Sequence, residues 1–166
     1  MNVSDRHWSR PDKGYVKVNV DAAMFKDLRC VGIVAVIRDG QGRFLRARSR
    51  KVGVHMRPRE AKTLSLKEAL SWVKGLGYQR CVFEIAAKQV GDACKGPLGK
   101  SYFYIIVLDY VELCKHIENV LVIFIHRSTN GVAHMLAQTT HSMSGWNEWV
   151  DYPPEYVSEA LLYDFI

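Results

Sequence analysis

Long apolar runs are missing from this 166-residue chain, and so is any cysteine pair at redox or metal-binding spacing. No stretch approaches the roughly 18 consecutive apolar residues of a membrane helix. The first residues, Met1 to His7, lack the apolar core of a secretion signal. An intracellular protein of the nucleus or cytoplasm, with no membrane partner, is expected. Cys30, Cys81, Cys94 and Cys114 stand far apart, with no histidine spacing that would complete a zinc site. Three of them sit inside apolar runs, which predicts buried free thiols in a reducing compartment. Acidic residues are in deficit: 17 Asp and Glu face 23 Lys and Arg, a formal charge of +6. Such a surface concentrates polyanions by long-range attraction. No linker or second composition regime interrupts the chain. One domain over residues 1–166 is expected, with a core at about 14–142 and a docked C-terminal segment at 143–166.

What is present is a regular succession of periodicities. Tyr15 to Asp21 alternates, with Val16, Val18 and Val20 on one face and Lys17, Asn19 and Asp21 on the other, so it predicts a strand ending in a carboxylate. Val31 to Ile37 is continuously apolar and rich in β-branched residues, as in a strand covered on both faces. Arg38 to Gly42 supplies turn residues before Arg43 to Ser49, and the two strands should form an antiparallel hairpin. From Pro58 to Lys74 the period becomes helical, with Ala61, Leu64, Leu66, Ala69, Leu70 and Val73 on the stripe, until Gly75-Leu76-Gly77 stops it. Arg80 to Ala86 predicts another strand, with Val82, Glu84 and Ala86 on one face. A short helix is expected over Ala87 to Cys94 and a longer one over Tyr102 to His116. Val120 to Ile125 predicts the last strand, and Asn130 to Thr140 the helix after it. The order β-β-β-α-β-α-α-β-α implies a mixed sheet with helices packed on it. The tail from Gly145, with Trp146, Trp149, Tyr152 and Tyr156, is expected to dock on the core rather than stack on bases.

Several polar residues fall at informative places. His126 to Ala137 follows an apolar strand and opens a helix, where His134 and Asn130, four apart, share a face. Each candidate also has an ordinary role. Asp21 suits a turn, Glu60 complements a helix dipole, Asn130 suits an N-cap, and His134 suits a neutral histidine packed on a sheet.

Taken in order, Trp8 to Ala23, Val31 to Asp39, Arg59-Glu60-Ala61, Phe83-Glu84 and Arg127 to Ala137 resemble the plant-type ribonuclease H-like domains found in retrotransposon-derived open reading frames. The resemblance runs from about Trp8 to the end of the chain. It implies an α/β ribonuclease H-like fold: a five-stranded mixed sheet, three antiparallel strands then two parallel ones, flanked by helices. Active members of that family are endonucleases that hydrolyse the RNA strand of an RNA/DNA hybrid with two divalent ions. These ions require oxygen ligands at fixed spacing. Carried over by position, Asp21 matches the first carboxylate and Glu60 the second, so these two are the expected metal ligands, for Mg²⁺ or Mn²⁺ if the chain is active.

The third acid of the family falls at Ala86 and the fourth at His134. The four expected catalytic positions are therefore Asp21, Glu60, Ala86 (its acid lost) and His134. The alanine reads as natural decay, as an introduced Asp-to-Ala change, or as a gap filled by Glu84 reaching in from about 6 to 7 Å along the strand. An imidazole suits Zn²⁺ or Mn²⁺ better than Mg²⁺. By the same resemblance Asn19, Arg127 and Asn130 are expected to contact nucleic acid, joined by Arg46 and Arg48 from a basic edge over Arg43 to Lys51. That edge reads as a phosphate-tracking ridge or as protection against strand-to-strand aggregation. Two functions follow. One is a nucleic-acid-binding domain for RNA/DNA hybrid or RNA, ancestrally a ribonuclease H and impaired by Ala86 and His134. The other is a catalytically silent module that binds a protein.

Overall fold

The alternating and β-branched segments fold into one antiparallel ribbon. The computed structural model describes residues 7–86, 112 and 114–164. β1 (Val16–Phe25), β2 (Cys30–Arg38) and β3 (Phe44–Val52) pair in chain order, with Asp21 opposite Val34 and Ala35 opposite Arg48. β4 (Arg80–Ile85) then pairs parallel to β1, and β5 (Asn119–Phe124) parallel to β4. This is the expected mixed sheet, three antiparallel strands followed by two parallel ones.

The expected count of five strands needs correction, because β6 (Trp146–Val150) adds a sixth, antiparallel to β3. Its residues alternate, with Asn147 and Trp149 half-buried and Trp146, Glu148 and Val150 exposed. Without it, β3 would present a row of unpaired backbone groups to solvent. Gly145 makes the turn into β6 at φ +61, a conformation that favours glycine.

β1 also runs four residues beyond its expected end, because Ala22 to Phe25 continues to pair with β2. Its parallel ladder with β4 stops at Val20 opposite Ile85. Asp21 is thus the first β1 residue past the point where β1 and β4 part, which leaves room for side chains to converge on it.

Helix α1 (Pro58–Gly75) covers one sheet face, where Leu66, Leu70 and Val73 pack on Val18, Val20, Phe83 and Ile85. Helices α2 (Gly131–Thr139) and α3 (Glu155–Tyr163) cover the other, where Val132, Ala133, Leu136, Val157 and Leu161 meet Ala23, Val34, Val36 and Ala47. The end of α2 sits so close to β2 that a Cβ at Gly32 would lie 1.6 Å from Thr140 Oγ1. The helix expected over Ala87 to Cys94, most of that over Tyr102 to His116, and Cys94 itself lie outside the described residues. Among the described residues Cys30 and Cys81 are buried and free, Cys114 is half-buried, and burial pushes the Cys81 thiol up to about 11. No described helix is long and apolar enough to cross a membrane.

Candidate functional site

Asp21 is held from its backbone outward. The Ser65 hydroxyl of α1 lies 2.7 Å from Asp21 O and 2.9 Å from Val34 O, and it accepts from Val34 N at 3.3 Å, so the helix is pinned to this β1–β2 pair. The Asp21 side chain is buried, with 3% exposure for the residue. Its Oδ2 lies 3.1 Å from His134 Nδ1, and its Oδ1 lies 3.6 Å from Lys62 Nζ. Lys62 in turn donates to Ala86 O at 2.8 Å, at the carboxyl end of β4. His134 Nε2 lies 3.2 Å from Arg127 Nη2. A guanidinium can only donate, so Nε2 accepts and the ring proton stands on Nδ1, donated to Asp21. Arg127, His134, Asp21, Lys62 and the Ala86 carbonyl therefore form one continuous row.

The structure places Glu60 elsewhere, away from the metal-ligand position expected for it. Its Oε2 accepts from Arg57 N at 3.0 Å, and its Oε1 from Arg57 Nε at 3.1 Å and Nη2 at 2.6 Å. The Arg57 hydrogen bonds hold the Glu60 carboxyl below the usual range, against a smaller opposing effect of burial. Glu60 closes the start of α1 as the third residue of a capping box. Lys62 follows two positions on, about 200° around the helix. If one of the pair faces Asp21 the other cannot, and it is Lys62 that does.

Asn19 and Asn130, expected at a nucleic-acid groove, are 0% and 1% exposed. They bond each other at 3.1 Å, and Asn130 also donates to Val20 O at 2.9 Å, so its side chain ties α2 to the sheet instead of capping the helix. They belong to a buried polar cluster beneath α2. Glu84 bridges Lys17 at 2.7 Å and Asn19 at 2.8 Å. With both oxygens so engaged, Glu84 does not reach in to the place of Ala86. Arg38, 1% exposed, bonds Asp164 at 2.6 Å and Asn19 at 3.2 Å, and stacks 3.7 Å from the Trp8 ring. Burial pulls the Arg38 pKa down, and Asp164 opposes that shift. The Trp8 indole donates to Asn19 Oδ1 at 3.0 Å.

The basic edge is largely matched within the fold. Arg46 pairs with Glu148 of β6 at 3.2 Å, Arg50 with Glu68 at 3.1 Å and Arg43 with Asp39 at 2.8 Å. Arg48 lies 3.8 Å over the Trp146 ring. The aromatic tail therefore covers the ridge, and of the five residues expected to touch nucleic acid only Arg127 is exposed.

The donors around Asp21 do not fit a divalent cation. Such an ion needs several oxygen ligands, yet Ala86 carries no side-chain donor and the Glu60 carboxylate is occupied by Arg57. Asp21 Oδ1 is buried and accepts no hydrogen bond, and the group facing it is an ammonium. Among the described residues no three His, Cys, Asp or Glu side chains converge on a metal position.

Residues 19–140 match the family model described as reverse transcriptase-like. The chain belongs to the reverse transcriptase-like family. Its fold is that of ribonuclease H. It is similar to ribonuclease H1 of the halophilic archaeon Halobacterium salinarum at TM-score 0.69 and 17% identity, over 77% of this chain and 98% of that one. The N-terminal ribonuclease H domain of a Mycobacterium tuberculosis protein aligns at TM-score 0.67 and 16% identity, over 77% of this chain and 94% of that one. LC11 ribonuclease H1, solved with an RNA/DNA hybrid, aligns at TM-score 0.65 and 16% identity, over 74% and 94% respectively. No curated protein sequence matches the chain.

Sequence reasoning missed Lys62, Trp8 and Arg38 as members of these two polar groups. One signal for Lys62 was available: it stands three residues before Ser65, on the helix face that meets β1.

Proposed function

We propose that this domain is a catalytically silent ribonuclease H-like module that binds nucleic acid, with RNA/DNA hybrid or RNA as the partner. The observation that carries the reading is the ammonium of Lys62, set between Asp21 and the Ala86 carbonyl where a hydrolase of this fold would need a metal ligand. Without a bound metal nothing lowers the pKa of an attacking water, and Asp21 is already engaged by His134. The formal charge of +6 and a fold shared with an enzyme solved on an RNA/DNA hybrid support the partner class. A plant-type, retrotransposon-derived origin follows from the sequence resemblance, and the buried free thiols support an intracellular setting.

A labelled RNA/DNA hybrid incubated with the chain in Mg²⁺ or Mn²⁺ should stay intact, while fluorescence anisotropy should detect binding that weakens steeply with salt. Cleavage that disappears in Asp21→Ala would overturn the silent reading. A second reading, a protein-interaction module, draws on the exposed Leu121, Ile123 and Phe124 of edge strand β5. Absence of hybrid binding at low salt would favour it.

A further inference from the structure

We infer that the Asp21 centre has changed sign. Lys62 serves as a resident cation in place of a metal, and with Arg127 it forms a metal-independent contact for a phosphodiester group. The inference rests on the nucleic-acid reading above and adds the site and the ionic requirement of binding.

A ribonuclease H centre assembled from carboxylates alone repels phosphate until divalent ions load it, because its fixed charges are all negative. Here two fixed positive charges, Lys62 and Arg127, flank the one negative charge of Asp21. His134 accepts from Arg127 at Nε2 and donates to Asp21 from Nδ1. The local balance is positive without any added ion. Lys62 spends one of its three N–H donors on Ala86 O at 2.8 Å. Its 3.6 Å approach to Asp21 is ionic, too long for a hydrogen bond. Donors thus remain on Nζ, in a side chain that is 19% exposed. Arg127 is exposed and gives one nitrogen to His134, which leaves further N–H groups of its fork for a neighbouring phosphate of the same strand. Lys62 faces Asp21, a carboxylate it shares with His134, and the Ala86 carbonyl, while Arg127 faces His134. Elsewhere the arginines are different: Arg43, Arg46, Arg50 and Arg57 each hold an acid of their own.

The test measures affinity of the full chain for a short fluorescein-labelled RNA/DNA hybrid, once in EDTA and once in Mg²⁺. Wild-type affinity should agree within about twofold between the two buffers. Lys62→Met should lose about tenfold in both, and Arg127→Gln, an exposed change that leaves the fold intact, about fivefold, as expected for single charged contacts. A thermal melt in a Mn²⁺ series supplies a second readout: the wild type should not shift, and the double variant Lys62→Glu, Ala86→Asp should gain a Mn²⁺-dependent rise. Hybrid binding that requires Mg²⁺, a wild-type melt that rises with Mn²⁺, or an Arg127→Gln protein with unchanged affinity would overturn the inference and leave the nucleic-acid reading standing. Absence of hybrid binding in either buffer would overturn both.

Discussion

Two polar groups lie on the α2 side of the same strand, and they are built to opposite rules. Around Asn19, the charges of Lys17, Glu84, Arg38 and Asp164 are paired, shielded from water and roofed by Trp8. Around Asp21, two residues further along β1, one carboxylate oxygen has no hydrogen bond, and of the flanking cations Arg127 is exposed and Lys62 partly so. Burying charges is costly unless each finds its partner, and the first group pairs every charge, although Arg38 Nε makes no hydrogen bond, while acting as a keystone between the N-terminal segment, the sheet and the end of α3. The second meets that condition only partly. Its remaining hydrogen-bonding capacity is what the proposed phosphate contact would use. Buried charge alone therefore does not separate a structural group from a candidate site; the completeness of its pairing and its closeness to solvent do.

The comparison can be broken from either side. The largest effect is expected at the closed group, where Glu84→Ala strands the ammonium of Lys17 in the interior and should cost about 4 kcal/mol in urea unfolding. An effect under about 1 kcal/mol would show that water already reaches the group. Trp8→Ala removes a buried indole, its bond to Asn19 and its stacking on Arg38, with an expected loss of about 3 kcal/mol. At the open group the effects are smaller. Lys62→Met should cost about 1 kcal/mol, and the loss should vanish in an Asp21→Asn background, where no charge is left to compensate. A full loss in both backgrounds would make Lys62 a packing residue.

The smallest effect sharpens the contrast with Glu60. Its folded pKa is depressed, so its contribution to stability is present above the ordinary value of 4.5 and is lost as pH falls below it through the folded value. Melting temperature should therefore drop slightly more steeply below pH 4.5 in the wild type than in Glu60→Gln. Equal slopes would mean that Glu60 does not cap α1 in solution.

The sheet was legible because period-two alternation in Tyr15 to Asp21 and the apolar run of Val31 to Ile37 admit few alternatives, and the stripe from Ala61 to Val73 marks a helix buried on one side. β6 was not legible. Five residues after a glycine turn make a strand only because the edge of β3 is there to pair with them, about a hundred positions earlier in the chain. Alternation correctly placed Lys17, Asn19 and Asp21 on one face. It could not say that α2 and the Trp8 segment would cover two of these residues and leave the third at the border of solvent.

Of the candidate site, sequence resemblance identified Asp21, Ala86 and His134 as positions to inspect. It mistook Glu60 for the second. Helix phase explains the error, since two residues on α1 differ by more than half a turn, and only docking of α1 on β1 through Ser65 decides which of them looks inward. Element order, the mixed sheet, the excess of positive charge and the alanine at position 86 could be read from the amino-acid sequence, because these depend on local periodicity and residue identity. The tertiary structure alone decided that a lysine stands against the remaining carboxylate, that the asparagines are internal and that the basic edge is matched by acids. Each of these depends on contacts between segments far apart in the chain, which no local pattern encodes.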